Sequence, residues 1–290
     1  MSTRRPPGAD ALGDANRHCA ALARAHARDQ WLGALYASEN ARDALLALAS
    51  FDTEIRRALV RAHDPNLAAM RLSWWRGVIV GERREEAAGN PVALALRAAI
   101  DAYALPGAWL EAMLDARLQE IAPQDDFNLA AFRAFAGESE GARLRLAARI
   151  AAGGRDLDEA DAHAPGGNAL ALTRLLYQLP FKAGAAPTLI PVDVAARHGA
   201  SAPEFDARRA SPGVVAACSE LRSLAREELQ EAERRLKASP PAILPAFVPL
   251  GALRLDLDRL DRSAERPFDA SGEVSPLRRQ WAIWRWARAR

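Results

Sequence analysis

The sequence predicts an all-α protein. Apolar residues recur at spacings of three and four almost throughout the chain, and no stretch shows the sustained apolar–polar alternation of a half-buried strand. Alanine and arginine, both strong helix formers, are frequent. A chain of 290 residues, half of them apolar, can bury a large core within one domain. We therefore expect a flexible N-terminus over residues 1–10 and one helical domain over residues 11–290.

The first predicted helices follow directly from this spacing. One covers residues from about 11 to 29, and the next runs from 40 to 62 with Leu45, Leu48 and Phe51 on a single buried stripe.

A third helix is predicted to begin at Asp64-Pro65, with the aspartate as N-cap and the proline at the first helical position. Its stripe places Met70, Trp74 and Val78 inward. The adjacent Trp75 cannot share the face of Trp74, and either core packing or contact with a ligand would suit it.

Further helices are predicted at 91–104, 106–122, 128–152, 167–182, 211–237 and 275–289. The glycine pairs at 153–154 and 166–167 are placed at helix ends, and Ser211-Pro212 is read as a helix start. The helix at 275–289 is rich in tryptophan and arginine. It suits either a last core helix with a basic outer face or a helix that lies on a membrane or a partner.

Composition excludes several classes of protein. Lysine and arginine total 39 against 37 aspartates and glutamates, so no basic domain for nucleic acid stands out. Cys19 and Cys218 are too few and too distant for a disulfide framework, which favours a reducing cytoplasm. The apolar stretch 238–253 contains four prolines and cannot form a spanning helix. We expect a cytoplasmic protein, for which peripheral contact with the inner membrane stays open.

Common catalytic motifs are missing from the sequence. No glycine-rich phosphate loop follows a strand, no two of the five histidines are four residues apart, and no serine occupies a GxSxG elbow. We therefore expect neither a metal site nor a cofactor from these patterns.

Two segments resemble the squalene/phytoene synthase family. The run LLALASFDTEIRR from Leu45 to Arg57, followed by RLSWWR from Arg71 to Arg76, is similar to the family's aspartate-rich helix and the W-R element after it. The run GNALALTR from Gly167 to Arg174, with Thr188 to Pro191, is similar to the family's second conserved helix and the Y-L-P beyond it. The stretch Leu114 to Glu120 resembles the carboxylate-bearing helix between them. The resemblance implies a single-domain isoprenoid-synthase-type helical bundle around a central cavity.

Activity in that family depends on carboxylates that hold magnesium against a prenyl diphosphate. At the first motif this chain has Thr53 in the leading position and Arg57 in the trailing one, so only Glu54 keeps a carboxylate. Shifting the register brings Asp52 to the leading position but places Arg56 at the trailing one.

The second motif departs in the same direction. Arg174 replaces an asparagine, while Gln178 and Lys182 stand where acidic residues belong. Asp115 is the matching carboxylate of the intermediate helix. Since arginine and lysine repel magnesium, these residues suit an anion better than a metal ion. The seven candidates are expected either to bind an anionic headgroup without metal or to pair with one another and close the cavity.

A branch of the family shows the same loss of aspartates. Phe51-x-x-Glu54, Met70-Arg71 with Trp75, and Leu189 to Asp193 resemble the branch that contains complex I assembly factors. This resemblance implies a non-catalytic protein that assists assembly of respiratory NADH dehydrogenase. Its partners would be complex I subunits or an assembly intermediate, with an isoprenoid or phospholipid as ligand. The alternative is a head-to-head prenyl transferase, which would need magnesium.

Overall fold

The computed structural model describes residues 7–61, 65–121, 126–156, 161–181, 189–270, 272 and 274–290. All regular secondary structure in these ranges is helical, which confirms the predicted all-α class. Asp64 and Lys182 lie outside the described residues, as do residues 1–6 of the N-terminus.

The helices are, in chain order, α1 (Pro7–His26), α2 (Arg28–Ala34), α3 (Glu39–Arg61), α4 (Pro65–Val80), α5 (Arg84–Ala88), α6 (Pro91–Tyr103), α7 (Gly107–Ile121), α8 (Leu129–Ala136), α9 (Ala142–Ala151), α10 (His163–Gln178), α11 (Val192–Arg197), α12 (Ala202–Asp206), α13 (Pro212–Leu236), α14 (Leu244–Phe247), α15 (Leu253–Arg262) and α16 (Pro276–Arg288). A π-helical segment, Gly137–Gly141, connects α8 to α9. Short 3-10 turns, Pro241–Ile243 and Val248–Ala252, flank α14. None of the described helices has the length and apolar character needed to cross a membrane.

These helices form two compact units. The first consists of residues 1–114, 145–157 and 241–248, and the second of residues 115–144, 158–240 and 249–290. Helices α7 and α9 therefore contribute to both units.

Helix α3 is central in the first unit, where it packs against α1, α2, α4 and α6. Its predicted stripe is confirmed, because Leu45, Leu48, Phe51 and Ile55 are all buried. The spacing of three and four along this stripe is what turns one face of the helix towards the core.

The predicted orientation of α4 is wrong in part. Met70 is 67% exposed and Trp74 is half-buried, whereas Leu72 and Trp75 are buried together with the correctly predicted Val78. The Trp75 ring packs edge-on against Phe51 of α3, with ring centroids 5.1 Å apart. The error arose because Trp74 and Trp75 each fit an apolar stripe at helical spacing. The contact with Phe51 of α3 decides which of the two stripes is buried.

Helix α10 is central in the second unit, where it packs against α13, the π-helical segment, α8 and α15. The prediction that Gly166 and Gly167 mark a helix end is wrong, since both lie inside α10. A Cβ atom on Gly167 would stand 2.6 Å from the backbone nitrogen of Gly141. Glycine is needed here because the two backbones pass too close for any side chain.

Other predicted helix ends are confirmed. Gly153 and Gly154 have φ angles of +71° and +86° after α9, a conformation that favours glycine. The Ser211 hydroxyl accepts a hydrogen bond of 3.3 Å from the backbone nitrogen of Val214 at the start of α13.

Both cysteines are free and buried. Burial raises the pKa of the Cys19 thiol to about 11 and that of the Cys218 thiol to about 12, from an ordinary value of 9.0. The native protein therefore keeps both thiols neutral at a pH where the unfolded chain ionises them.

This difference predicts a loss of stability in alkali. A raised pKa in the folded state contributes stability that is complete below about pH 9 and is lost as the pH rises towards 11 and 12. Above pH 9 each thiol should lower the free energy of unfolding by about 1.4 kcal/mol per pH unit. Urea unfolding at pH 8 and pH 10 measures the effect. The double variant Cys19→Ala with Cys218→Ala is the control, and an equal fall in both proteins would contradict the prediction.

Candidate functional site

An open pocket of about 300 Å³ lies within the first unit, between α3, α4 and the start of α6. Its volume is at the lower end of the range for small-molecule sites, enough for a phosphorylated headgroup. It is lined by Glu54, Arg57, Ala58, Arg71, Trp74, Trp75 and Asn90.

Helix α3 supplies the charged wall of this pocket. The Arg57 guanidinium lies 3.7 Å from the Glu54 carboxylate, and both side chains are about one-third exposed. Arg57 also contacts His26, with Nη2 and Nε2 3.2 Å apart. Since a guanidinium only donates hydrogen bonds, this contact is a hydrogen bond in the tautomer that leaves Nε2 of His26 as the acceptor.

Helix α4 supplies the second arginine and the aromatic wall. Arg71 is exposed, and no hydrogen bond or ion pair involves it within the described part of the chain. The Trp74 indole nitrogen donates a hydrogen bond of 2.7 Å to Glu86. This bond and the hydrogen bonds from Arg83 hold the pKa of the Glu86 carboxyl below its usual range.

The pocket thus carries two guanidinium groups against one carboxylate. Arginine presents a planar fork of donors that matches the oxygens of a phosphate, and it keeps its charge at any physiological pH. The arrangement favours an anion with a phosphate or diphosphate group.

A different cluster, in the second unit, centres on Glu140 of the π-helical segment. Glu140 is 1% exposed and accepts a hydrogen bond of 3.1 Å from Nε of Arg143. It also forms an ion pair with Arg174 of α10. A buried carboxylate requires such partners, because removing an ion from water without compensation costs several kcal/mol.

The space beside this cluster is small. It is lined by Arg117, Glu120, Phe132, Phe135, Ser139, Glu140, Ala171, Arg174, Leu175, Gln178 and Leu189, and its volume is about 20 Å³. That is room for roughly one water molecule. The side chains of this unit therefore fill the space that a headgroup would occupy.

The predicted site residues do not all line the same pocket. Glu54 and Arg57 share the pocket of the first unit, whereas Arg174 and Gln178 lie beside Glu140 in the second. Thr53 is buried, and its hydroxyl donates a hydrogen bond of 2.8 Å to the carbonyl of Ala49 in its own helix.

Two candidates remain. Asp115 is half-buried, and Glu120, five residues further along α7, lines the small space instead of it. Lys182 lies outside the described residues.

Glu140 is the residue that sequence reasoning missed. A signal was present, since Glu140 follows Phe132 and Ala136 at helical spacing and therefore falls on an apolar face. A charged residue on such a face needs a buried partner, and Arg143 stands three residues away.

A magnesium site does not fit the carboxylates that the structure describes beside the two motifs. Asp52 pairs with Arg56 at 2.9 Å, Glu54 lies beside Arg57, and Glu140 is held by two arginines. One oxygen of Asp52, one of Glu54 and both of Glu140 thus face a guanidinium instead of being free for a metal ion. Within the described ranges, no three His, Cys, Asp or Glu side chains form a group that could hold a metal ion.

Comparison with known proteins identifies the family. The family model of squalene/phytoene synthase matches residues 23–285, so the chain belongs to the squalene/phytoene synthase family. A solved dehydrosqualene synthase superposes with a TM-score of 0.80 over 96% of this chain and 97% of its own, at 13% identity. This likeness confirms the predicted isoprenoid-synthase-type fold.

Relatives in animals carry a different name. The human protein "NADH dehydrogenase (ubiquinone) complex I, assembly factor 6" is 23% identical over 247 residues, which cover 85% of this chain and 74% of its own. The Drosophila melanogaster homolog of assembly factor 6 is 25% identical over 264 residues, which cover 88% of this chain and 78% of its own. The resemblance to the assembly-factor branch is thereby confirmed.

The ion pairs of Glu140 lead to a prediction about stability. Glu140→Gln should lower the free energy of unfolding by about 3–5 kcal/mol, because two arginines lose their shared buried counter-charge. Glu138→Gln is the matched control, since Glu138 lies in the same π-helical segment but accepts only a hydrogen bond of 3.3 Å from Gln119 on the surface. Urea denaturation measures both. Equal losses of unfolding free energy in the two variants would show that the ion pairs of Glu140 do not stabilise the fold.

Proposed function

We propose that this protein assists the assembly of respiratory NADH dehydrogenase without catalysing prenyl transfer. The observation that carries the proposal is the pairing of Asp52 and Glu54, the carboxylates left at the first motif, with arginines while the family fold is kept. The names of the human and Drosophila relatives support the same role. Its partners would be subunits of the complex or an assembly intermediate.

A deletion strain tests the assembly role. Loss of the protein should reduce NADH dehydrogenase activity and the amount of assembled complex in membranes, and the wild-type gene should restore both. Normal activity and normal assembly in the deletion strain would remove the proposal.

A prenyl transferase remains the alternative, with the fold in its favour. Release of diphosphate from farnesyl or geranylgeranyl diphosphate in the presence of magnesium would establish it. We expect no release, because the residues available for the metal already face guanidinium groups.

The pocket of the first unit is proposed to bind an isoprenoid diphosphate or a phospholipid headgroup without metal. Arg57 and Arg71 would hold the phosphate oxygens, and Trp74 and Trp75 would border the apolar part of the ligand. The small space beside Arg174 is excluded from this role by its volume. A ligand of this kind would couple the protein to a lipid or isoprenoid signal during assembly.

Calorimetry in the absence of magnesium checks this binding. Farnesyl diphosphate, pyrophosphate and glycerophosphoglycerol separate an isoprenoid, a bare diphosphate and a lipid headgroup as the source of the anion. The double variant Arg57→Ala with Arg71→Ala should weaken binding by about a hundredfold or more, since each of the two charge-assisted contacts is worth roughly 1.5–3 kcal/mol.

The control variant for this experiment has the same net charge as the pocket variant. Arg17→Ala with Arg84→Ala also removes two exposed arginines of the first unit, but neither lines the pocket. It should bind as the wild type does. No heat with the wild type, or equal heat with the pocket variant, contradicts the headgroup proposal and leaves the assembly role to be judged by the deletion strain.

A further inference from the structure

Helix α16 presents large apolar side chains to solvent. Leu277, Trp281 and Trp284 are 79%, 57% and 38% exposed. They are spaced four and three residues apart and so lie on one face of the helix. The two indole rings stack on each other, with centroids 4.8 Å apart. Exposed clusters of this kind mark surfaces that contact another phase or molecule.

The opposite face already fixes α16 to the second unit. Ile283 and Trp286 are buried, and the Trp286 indole donates a hydrogen bond of 2.9 Å to Glu233. Arg279 binds Asp256 through two hydrogen bonds of 2.6 and 2.9 Å. Folding therefore accounts for these side chains but leaves Trp281 and Trp284 without a role in the core.

Three arginines surround the exposed tryptophans. Arg278, Arg285 and Arg288 are exposed, and α16 contains no acidic residue. No ion pair involves any of the three within the described ranges, and Arg288 contacts the Trp284 ring at 4.9 Å.

The charge of these arginines is not balanced in the way that it is for several other arginines of this unit. Arg226 pairs with Asp258 and Asp261, and Arg234 pairs with Glu231. We call Leu277, Arg278, Trp281, Trp284, Arg285 and Arg288 the Trp–Arg face. It carries three positive charges with no carboxylate neighbour on its own helix.

We propose that the Trp–Arg face binds the surface of an anionic phospholipid membrane. Tryptophan rings prefer the boundary between headgroups and acyl chains, and arginine donates to lipid phosphates. Helix α16 has 13 residues and is about 20 Å long, so it lies along the surface with its buried face towards the protein. The complementary charge of anionic lipid distinguishes this partner from an apolar protein groove, which would not require three unpaired arginines.

Vesicle flotation with the full chain tests the proposal. The wild type should bind vesicles of phosphatidylcholine with phosphatidylglycerol and should bind vesicles of phosphatidylcholine alone about tenfold or more weakly, with binding to the anionic vesicles falling as salt is raised. Lipids brominated near the headgroup should quench tryptophan fluorescence, and Trp281→Phe with Trp284→Phe should lose most of that quenching.

Two pairs of variants separate the face from general effects. Trp281→Ala with Trp284→Ala, and Arg278→Gln with Arg285→Gln, should each weaken binding by about tenfold. Phe181→Ala and Arg17→Gln with Arg266→Gln are the controls, because these side chains are also exposed but lie outside the Trp–Arg face. They should bind as the wild type does. Circular dichroism confirms that each variant is folded.

Vesicle flotation and the calorimetry on the pocket of the first unit test separate proposals. The pocket is tested with soluble anions and pocket variants, whereas flotation compares variants of the Trp–Arg face in a chain whose pocket is unchanged. The proposal is overturned if the wild type floats with neither kind of vesicle, which would leave a protein partner for this face. It is also overturned if folded variants of the face bind as tightly as their controls.

Discussion

The need of a buried carboxylate for a positive partner governs the packing at the centre of the second unit. Glu140 is almost completely buried and is held by Arg143 and Arg174. The contact depends on the close passage of α10 over the π-helical segment, which requires glycine at position 167. Backbone geometry and charge pairing are therefore one constraint, since a side chain at Gly167 would move Arg174 away from Glu140.

The same pairing underlies the proposal that this member of the family works without metal. In the first unit Asp52 and Glu54 are paired with Arg56 and Arg57 of the same helix, an arrangement that needs no change of fold. What differs between the two units is the space that remains. About 300 Å³ is open beside Arg57, whereas about 20 Å³ is left beside Arg174. The ligand site is therefore proposed in the first unit, because ion pairs fill the corresponding space beside Arg174 in the second.

The two surfaces proposed to bind anions differ in shape. The pocket between α3 and α4 is concave and combines two arginines with two tryptophans, which suits a single phosphorylated molecule. The Trp–Arg face on α16 is an exposed helix face, which suits an extended lipid surface. A protein that binds an isoprenoid or lipid and also binds a membrane surface would lie close to a membrane-bound respiratory complex during its assembly.

The sequence alone determined the all-helical class, most helix positions, the stripe of α3 and the loss of aspartates, because these depend on local spacing and residue type. It could not decide which of Trp74 and Trp75 is buried, since that choice depends on the ring of Phe51 from another helix. Nor could it show that Gly166 and Gly167 lie within α10, or that Arg174 pairs with Glu140. Those facts depend on the contact between the backbones at Gly141 and Gly167. These residues are 26 positions apart in sequence, and only the tertiary structure brings them together.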